Sequence, residues 1–187
     1  MNEITAIRVT KHLLGKVVLD AETAWKKGVV TDVVINPVEG TVVALLFRAP
    51  SGEELALALD GFFINGEATA VIEIGEPMTD PDVLKQAMEN GARAEGELVG
   101  SDVVTKDGRL LGRVTEVLLQ TNPMRVIYQI ATSRWQRFFG GGIYLADGAP
   151  CAYSRVGARL IAPSDTRYVF RSLMESVKAG MQKSATA

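Results

Sequence analysis

Two stretches of this chain follow the same order of residues. Residues 12–47 read HLLGKVVLDAETAWKKGVVTDVVINPVEGTVVALLF, and residues 97–130 read ELVGSDVVTKDGRLLGRVTEVLLQTNPMRVIYQI. Leu14-Gly15 lines up with Val99-Gly100, and Val17-Val18 with Val103-Val104 within a residue. Gly28-Val29-Val30-Thr31-Asp32 then lines up with Gly112-Arg113-Val114-Thr115-Glu116. Both copies continue through Asn-Pro (Asn36-Pro37, Asn122-Pro123) into an apolar strand, and the offset drifts only between 84 and 86 positions. Solenoid units are shorter, about 20–50 residues, so the pattern reads as a duplicated small domain. Duplication of this kind favours a binding role over catalysis and leaves the partner unnamed.

Within 187 residues, two halves of roughly 80 residues would each bury a modest core, so they are expected to pack on one another or on a second chain. The first half carries short apolar segments around Val30–Ile35, Val42–Phe47 and Leu55–Leu59. They are rich in β-branched residues and separated by turn residues, which points to strands. Many short strands of this spacing make a small barrel or a sandwich. Lys106-Asp107-Gly108-Arg109 marks a hairpin turn in the second half. Between the copies, Thr79 or Asp80 caps an expected helix over 82–90 that ends at Asn90-Gly91. After the second copy, Phe170, Leu173, Met174, Val177 and Met181 recur at helical spacing from a cap at Ser164 or Asp165.

The strung-together elements of the first copy are Leu13-Leu14-Gly15, a Val pair, an acidic turn, Gly28-x-Val30 with Asp32 two residues on, and an apolar strand. With the finish LALALDGFFINGEATAVI, this order resembles the PRC-barrel family. The second copy finishes similarly with VGARLIA, Val156 to Ala162. The resemblance covers roughly residues 12–75 and 97–163. Members include the cytoplasmic domain of the photosynthetic reaction-centre H subunit and the C-terminal domain of a ribosome-maturation factor. It implies a mainly β fold of two tandem small PRC-type β-barrels, at 1–78 and 97–163. A helical linker at 79–96 would join them, and a C-terminal amphipathic helix and tail would occupy 164–187. The implied work is non-enzymatic: a scaffold or adaptor mediating protein–protein interaction. The chain departs from the pattern at Lys27, which stands where the second copy has the apolar Leu111.

Charge is divided unequally. Residues 1–97 hold eight Lys and Arg against sixteen Asp and Glu; residues 98–187 hold twelve against six, and nine of those twelve are Arg. The two halves therefore attract each other or a partner. The Arg-rich half also carries the alternative expectation, an RNA- or ribosome-associated factor, since guanidinium groups fork onto phosphate.

Catalysis has little to draw on. His12 is the only histidine and Cys151 the only cysteine, with no motif around either, so neither a catalytic pair nor a resident metal or other cofactor is expected. Two acidic groups, Asp20/Glu22/Asp32 and Asp102/Asp107/Glu116, read as solvated turn acids rather than metal ligands. A single cysteine fits a reducing compartment. With no signal pattern at the start and no apolar run of about 20 residues, the expected location is cytoplasmic.

The segment that departs most from its counterpart is Ser133 to Gly142. It gathers Arg134, Trp135, Arg137, Phe138 and Phe139 before three glycines. Trp and Arg dominate binding hot spots, and aromatics interleaved with Arg also suit stacking on single-stranded RNA. The same residues equally fit a plug for a barrel or for the seam between barrels. Trp25, Lys26 and Lys27 form a smaller version of the same arrangement. These eight residues are the expected partner-binding set, with homodimerisation through barrel faces or the C-terminal helix as a further expectation.

Overall fold

The computed structural model describes residues 6–58, 62–64, 70–73, 81–121, 124–133, 136, 142–145, 151–154, 156–165, 168–173 and 175. In the first repeat, β1 (Ala6–Arg8) leads through a π-helical turn (Val9–Leu13) into β2 (Val17–Asp20), β3 (Lys26–Asn36) and β4 (Thr41–Arg48). β5 (Glu54–Ala58), β6 (Phe62–Ile64) and β7 (Ala70–Glu73) follow, and then helix α1 (Pro81–Glu89). The second repeat opens with β8 (Arg93–Ala94) and a short helix α2 (Glu95–Leu98). It continues with β9 (Asp102–Thr105), β10 (Leu110–Thr121), β11 (Met124–Ala131), β12 (Ile143–Leu145), β13 (Ala152–Ser154), β14 (Arg159–Ala162) and β15 (Val169–Phe170).

The protein is mainly β, in two sheets. One runs β5-β4-β3-β2-β7-β6; the other runs β13-β14-β9-β10-β11-β12-β15. Each is built round a long antiparallel hairpin, β3–β4 or β10–β11, and each closes its repeat with one parallel pair, β2 with β7 or β9 with β14. Neither sheet joins its two ends into a closed barrel among the described residues.

Bulges fall at matching places. The β3–β4 register slips between Val30 and Asp32, and the β10–β11 register between Val114 and Glu116. A second slip leaves one residue unpaired before each strand glycine: Lys27 in β3 and Leu111 in β10. At this bulge the two copies differ: Leu111 is partly buried against the core, whereas Lys27 is exposed and reaches Asp20 at 3.3 Å. Gly28 and Gly112 are needed because the backbone of the next strand crosses against them. A Cβ at Gly28 would collide with the carbonyl of Arg48, and one at Gly112 with that of Ala131.

The two repeats exchange their first strands. β1 pairs with β10 of the second repeat, Ile7 opposite Leu119, and β8 pairs with β3 of the first, Arg93 opposite Ile35. One continuous core results. Val18, Val30, Val33, Leu45, Phe47 and Leu57 of the first repeat share it with Val103, Val114, Val117, Tyr128, Ile130 and Leu160 of the second. The Asn36–Gly40 turn adds two backbone bonds across the joint: Val126 N–H to Gly40 O at 3.1 Å and Cys151 N–H to Pro37 O at 3.0 Å.

Within the stretch expected as a helical linker, residues 81–96 hold α1, β8 and the start of α2, and β8 pairs with β3. At the other end, Val169 and Phe170 form a strand against Leu145 and Tyr144 rather than the start of a helix. The open edge of β12 offers unpaired backbone there, and Val169 and Phe170 both pack inward. Residues from 176 onward lie outside the described residues.

Candidate binding face

Asp20 organises the turn between β2 and β3. Its Oδ1 accepts hydrogen bonds from Thr23 N–H and Thr23 Oγ1, each at 2.7 Å, and from Glu22 N–H at 3.1 Å. Its backbone N–H donates to Trp25 O at 2.9 Å, and Ala24 N–H donates to Asp20 O at 3.0 Å. The Thr23 hydroxyl, then the Thr23 amide, favour the charged carboxylate and hold its pKa down at about 2. Ala24 takes the left-handed conformation, φ 57°, which a residue other than glycine adopts only where its surroundings fix it.

The outcome is an ordered turn whose tryptophan points outward: Trp25 is 77% exposed. Lys26 and Lys27 beside it are also exposed. Behind them lies a shallow cleft of about 440 Å³ lined by Lys26, Gly28, Val29, Arg48, Ala49 and Pro50. Its surface is mostly apolar, and neither Lys26 nor Arg48 has an ion-pair partner among the described residues. An indole on a fixed base next to an apolar recess with cationic edges is the arrangement of an interface anchor.

Of the other predicted site residues, Arg134, Trp135, Arg137, Phe138 and Phe139 lie outside the described residues. The base of their segment is defined. It leaves β11 after Ala131, where Thr132 N–H and Oγ1 donate to Gln136 Oε1 at 2.9 and 2.8 Å, and it re-enters at Ile143 opposite Ile130. That exit point corresponds to Arg48-Ala49-Pro50 of the first repeat, so the inserted segment starts where the first repeat has its cleft.

The acidic groups separate differently from their sequence grouping. Asp32 lies at the joint between repeats, accepting Glu95 N–H at 3.0 Å, away from the Asp20 turn. Asp102 is paired with Arg113 at 2.8 Å, and Asp107 accepts from Ser164 Oγ at 2.9 Å. Glu116 is ion-paired with Arg8. No group of three potential ligands arranged to hold a metal occurs among the described residues. Cys151 is fully buried, with burial pushing its thiol pKa up to about 12, while His12 is exposed. No helix among the described residues is long and apolar enough to cross a membrane.

Two features were missed from the sequence: the cleft and the acidic joint. In the sequence Arg48 to Gly52 is only a short connection, and Glu95 falls in the helical linker expected at 79–96. The only signal for the joint was the matching of Asp32 with Glu116 in the repeat alignment; Thr10 and Glu95 precede the aligned stretches. No protein-family model matches the chain, and no curated protein matches it in sequence.

Proposed function

We propose that this protein is a two-repeat adaptor of PRC-barrel type that docks a protein partner on the face formed by Trp25, Lys26 and the Arg48–Pro50 cleft. One observation carries the reading: a tryptophan held outward by a carboxylate-centred turn, beside an apolar recess. Leaving an indole in water forgoes about 2 kcal/mol of burial, and the Asp20 hydrogen bonds order the backbone that presents it. The repeat order supports the family resemblance, with a glycine-bulged strand, a long hairpin and a closing parallel strand in both halves. The Trp135 segment, leaving from the corresponding point of the second repeat, is read as a second contact of the same kind.

The test is affinity capture with wild type and with a folded Trp25→Ala/Lys26→Ala variant, with and without nuclease and at two salt concentrations. A defined protein that survives nuclease and is lost by the variant supports the adaptor. Recovery of RNA that vanishes with nuclease and falls steeply with salt would move the function to the Arg-rich half.

A further inference from the structure

A second site, independent of Trp25, lies where the repeats meet. Glu95 opens α2 and is 3% exposed; Glu116 on β10 is 5% exposed. Thr10 Oγ1, on the π-helical turn of the first repeat, donates to Glu95 Oε1 at 2.9 Å. Asp32 on β3 accepts the Glu95 amide. Arg8 on β1 pairs with Glu116 through Oε2, and Glu116 Oε1 is buried with no hydrogen-bond partner.

The surroundings offer little more positive charge. Arg93 on β8 is occupied elsewhere: its guanidinium donates to the carbonyls of Met88, at 2.7 Å, and Ala92, and it lies 5.4 Å from the ring centroid of Tyr153. Glu54 on β5 adds repulsion at Asp32. Glu97 on α2 and Lys11 and His12 on the π-helical turn are exposed. Of the three carboxylates at this joint only Glu116 has a guanidinium partner, Arg8, and with Glu95 and Glu116 buried their charges are screened less than surface charges.

We propose that this joint is a proton-sensitive contact: with Asp32, Glu95 and Glu116 all ionised the two repeats are held under mutual repulsion, and uptake of one proton, chiefly at Glu95, tightens their fit. Burial, the larger cause, pushes the Glu95 carboxyl above its usual range, and the charges of Asp32 and Glu116 push it the same way. Burial also raises Asp32. A carboxyl with a raised folded-state pKa favours the folded state increasingly as pH falls through that value. Protonation at Glu95 Oε2 leaves Oε1 free to keep its bond from Thr10 Oγ1.

The experiment measures urea midpoints from neutral pH down to about pH 5 for the whole protein carrying His12→Asn, so that the chain holds no histidine. The midpoint is expected to rise on acidification. Glu95→Gln, which keeps the acceptor for Thr10, is expected to raise the neutral midpoint and flatten the rise. A wild-type midpoint that stays level or falls, or a Glu95→Gln profile parallel to wild type, would overturn the proposal. Should Glu95→Gln fail to fold, hydrogen exchange at the Glu95 amide of the wild-type chain decides: protection, corrected for intrinsic rate, rises on acidification if the proposal holds and stays constant if it fails.

Discussion

Thr10 donates its hydroxyl hydrogen to Glu95 across the joint at 2.9 Å, and the two residues occupy corresponding positions in the two repeats, 85 apart in sequence. A contact between equivalents is what an internal two-fold relation produces near its axis. The exchanged strands β1 and β8 and the partners Arg8–Glu116 and Asp32–Glu95 lie around it.

Replacing Thr10 by Val keeps the shape of the side chain and removes the donor. Glu95 is then left buried without it, and the cost is expected to be about 1–3 kcal/mol. Thr10→Ser should recover most of this. Urea unfolding of the three proteins at one pH measures it.

Arg8→Met leaves the Glu116 carboxylate uncompensated in the core. A loss of roughly 3 kcal/mol is expected, at the low end for a buried pair because Arg8 is partly exposed. The double change Arg8→Met/Glu116→Leu should restore most of the stability, since the desolvated charge is gone. Thermal or urea unfolding of these proteins together with Glu116→Leu alone forms a double-mutant cycle.

Gly112→Ala should destabilise by more than about 1 kcal/mol, because the native backbone conformation there disfavours a side chain. Gly112 has φ 150°, and the added Cβ would also strike the Ala131 carbonyl. Gly15→Ala makes a control: its φ is 78°, but nothing lies within 4 Å of its Cβ. Comparing the two losses separates the collision from the conformational cost.

The Cys151 thiol, fully buried and with its pKa raised to about 12, should resist a thiol reagent in the native protein and react promptly in denaturant. Rapid native labelling, followed by mass, would place it at an accessible surface instead.

Asp20 gives the opposite pH dependence to Glu95. Its pKa is lowered to about 2 in the folded chain, so its contribution is complete above the unfolded value, about 3.9, and is lost as pH falls through about 2. In a Trp135→Phe background, Trp25 fluorescence should therefore stay constant through mildly acidic pH. Asp20→Ala should alter it at neutral pH by freeing the turn.

The strands and the two strand glycines were legible because each leaves a local mark: β-branched runs, and Gly28 and Gly112 where backbones cross. The Lys27 anomaly was visible too, and its exposed pairing with Asp20 shows why a charge is accepted where Leu111 packs against the core. What was not legible is non-local. β8 has only two residues, Arg93 and Ala94, and its pairing with β3 leaves no periodicity. Arg8 and Glu116 are 108 positions apart. Phe170 fitted a helical stripe because it stands three residues before Leu173; its pairing with Tyr144 in a two-residue strand leaves no periodicity to oppose that reading.

The most direct test of the docking face places a photo-crosslinking amino acid at position 25 in the full chain and irradiates the cells that make it. The account predicts a discrete protein adduct, insensitive to nuclease and diminished when Lys26 and Arg48 are changed to Ala. Adducts to nucleic acid alone, or none beyond those formed by a probe at exposed Val156, would contradict it.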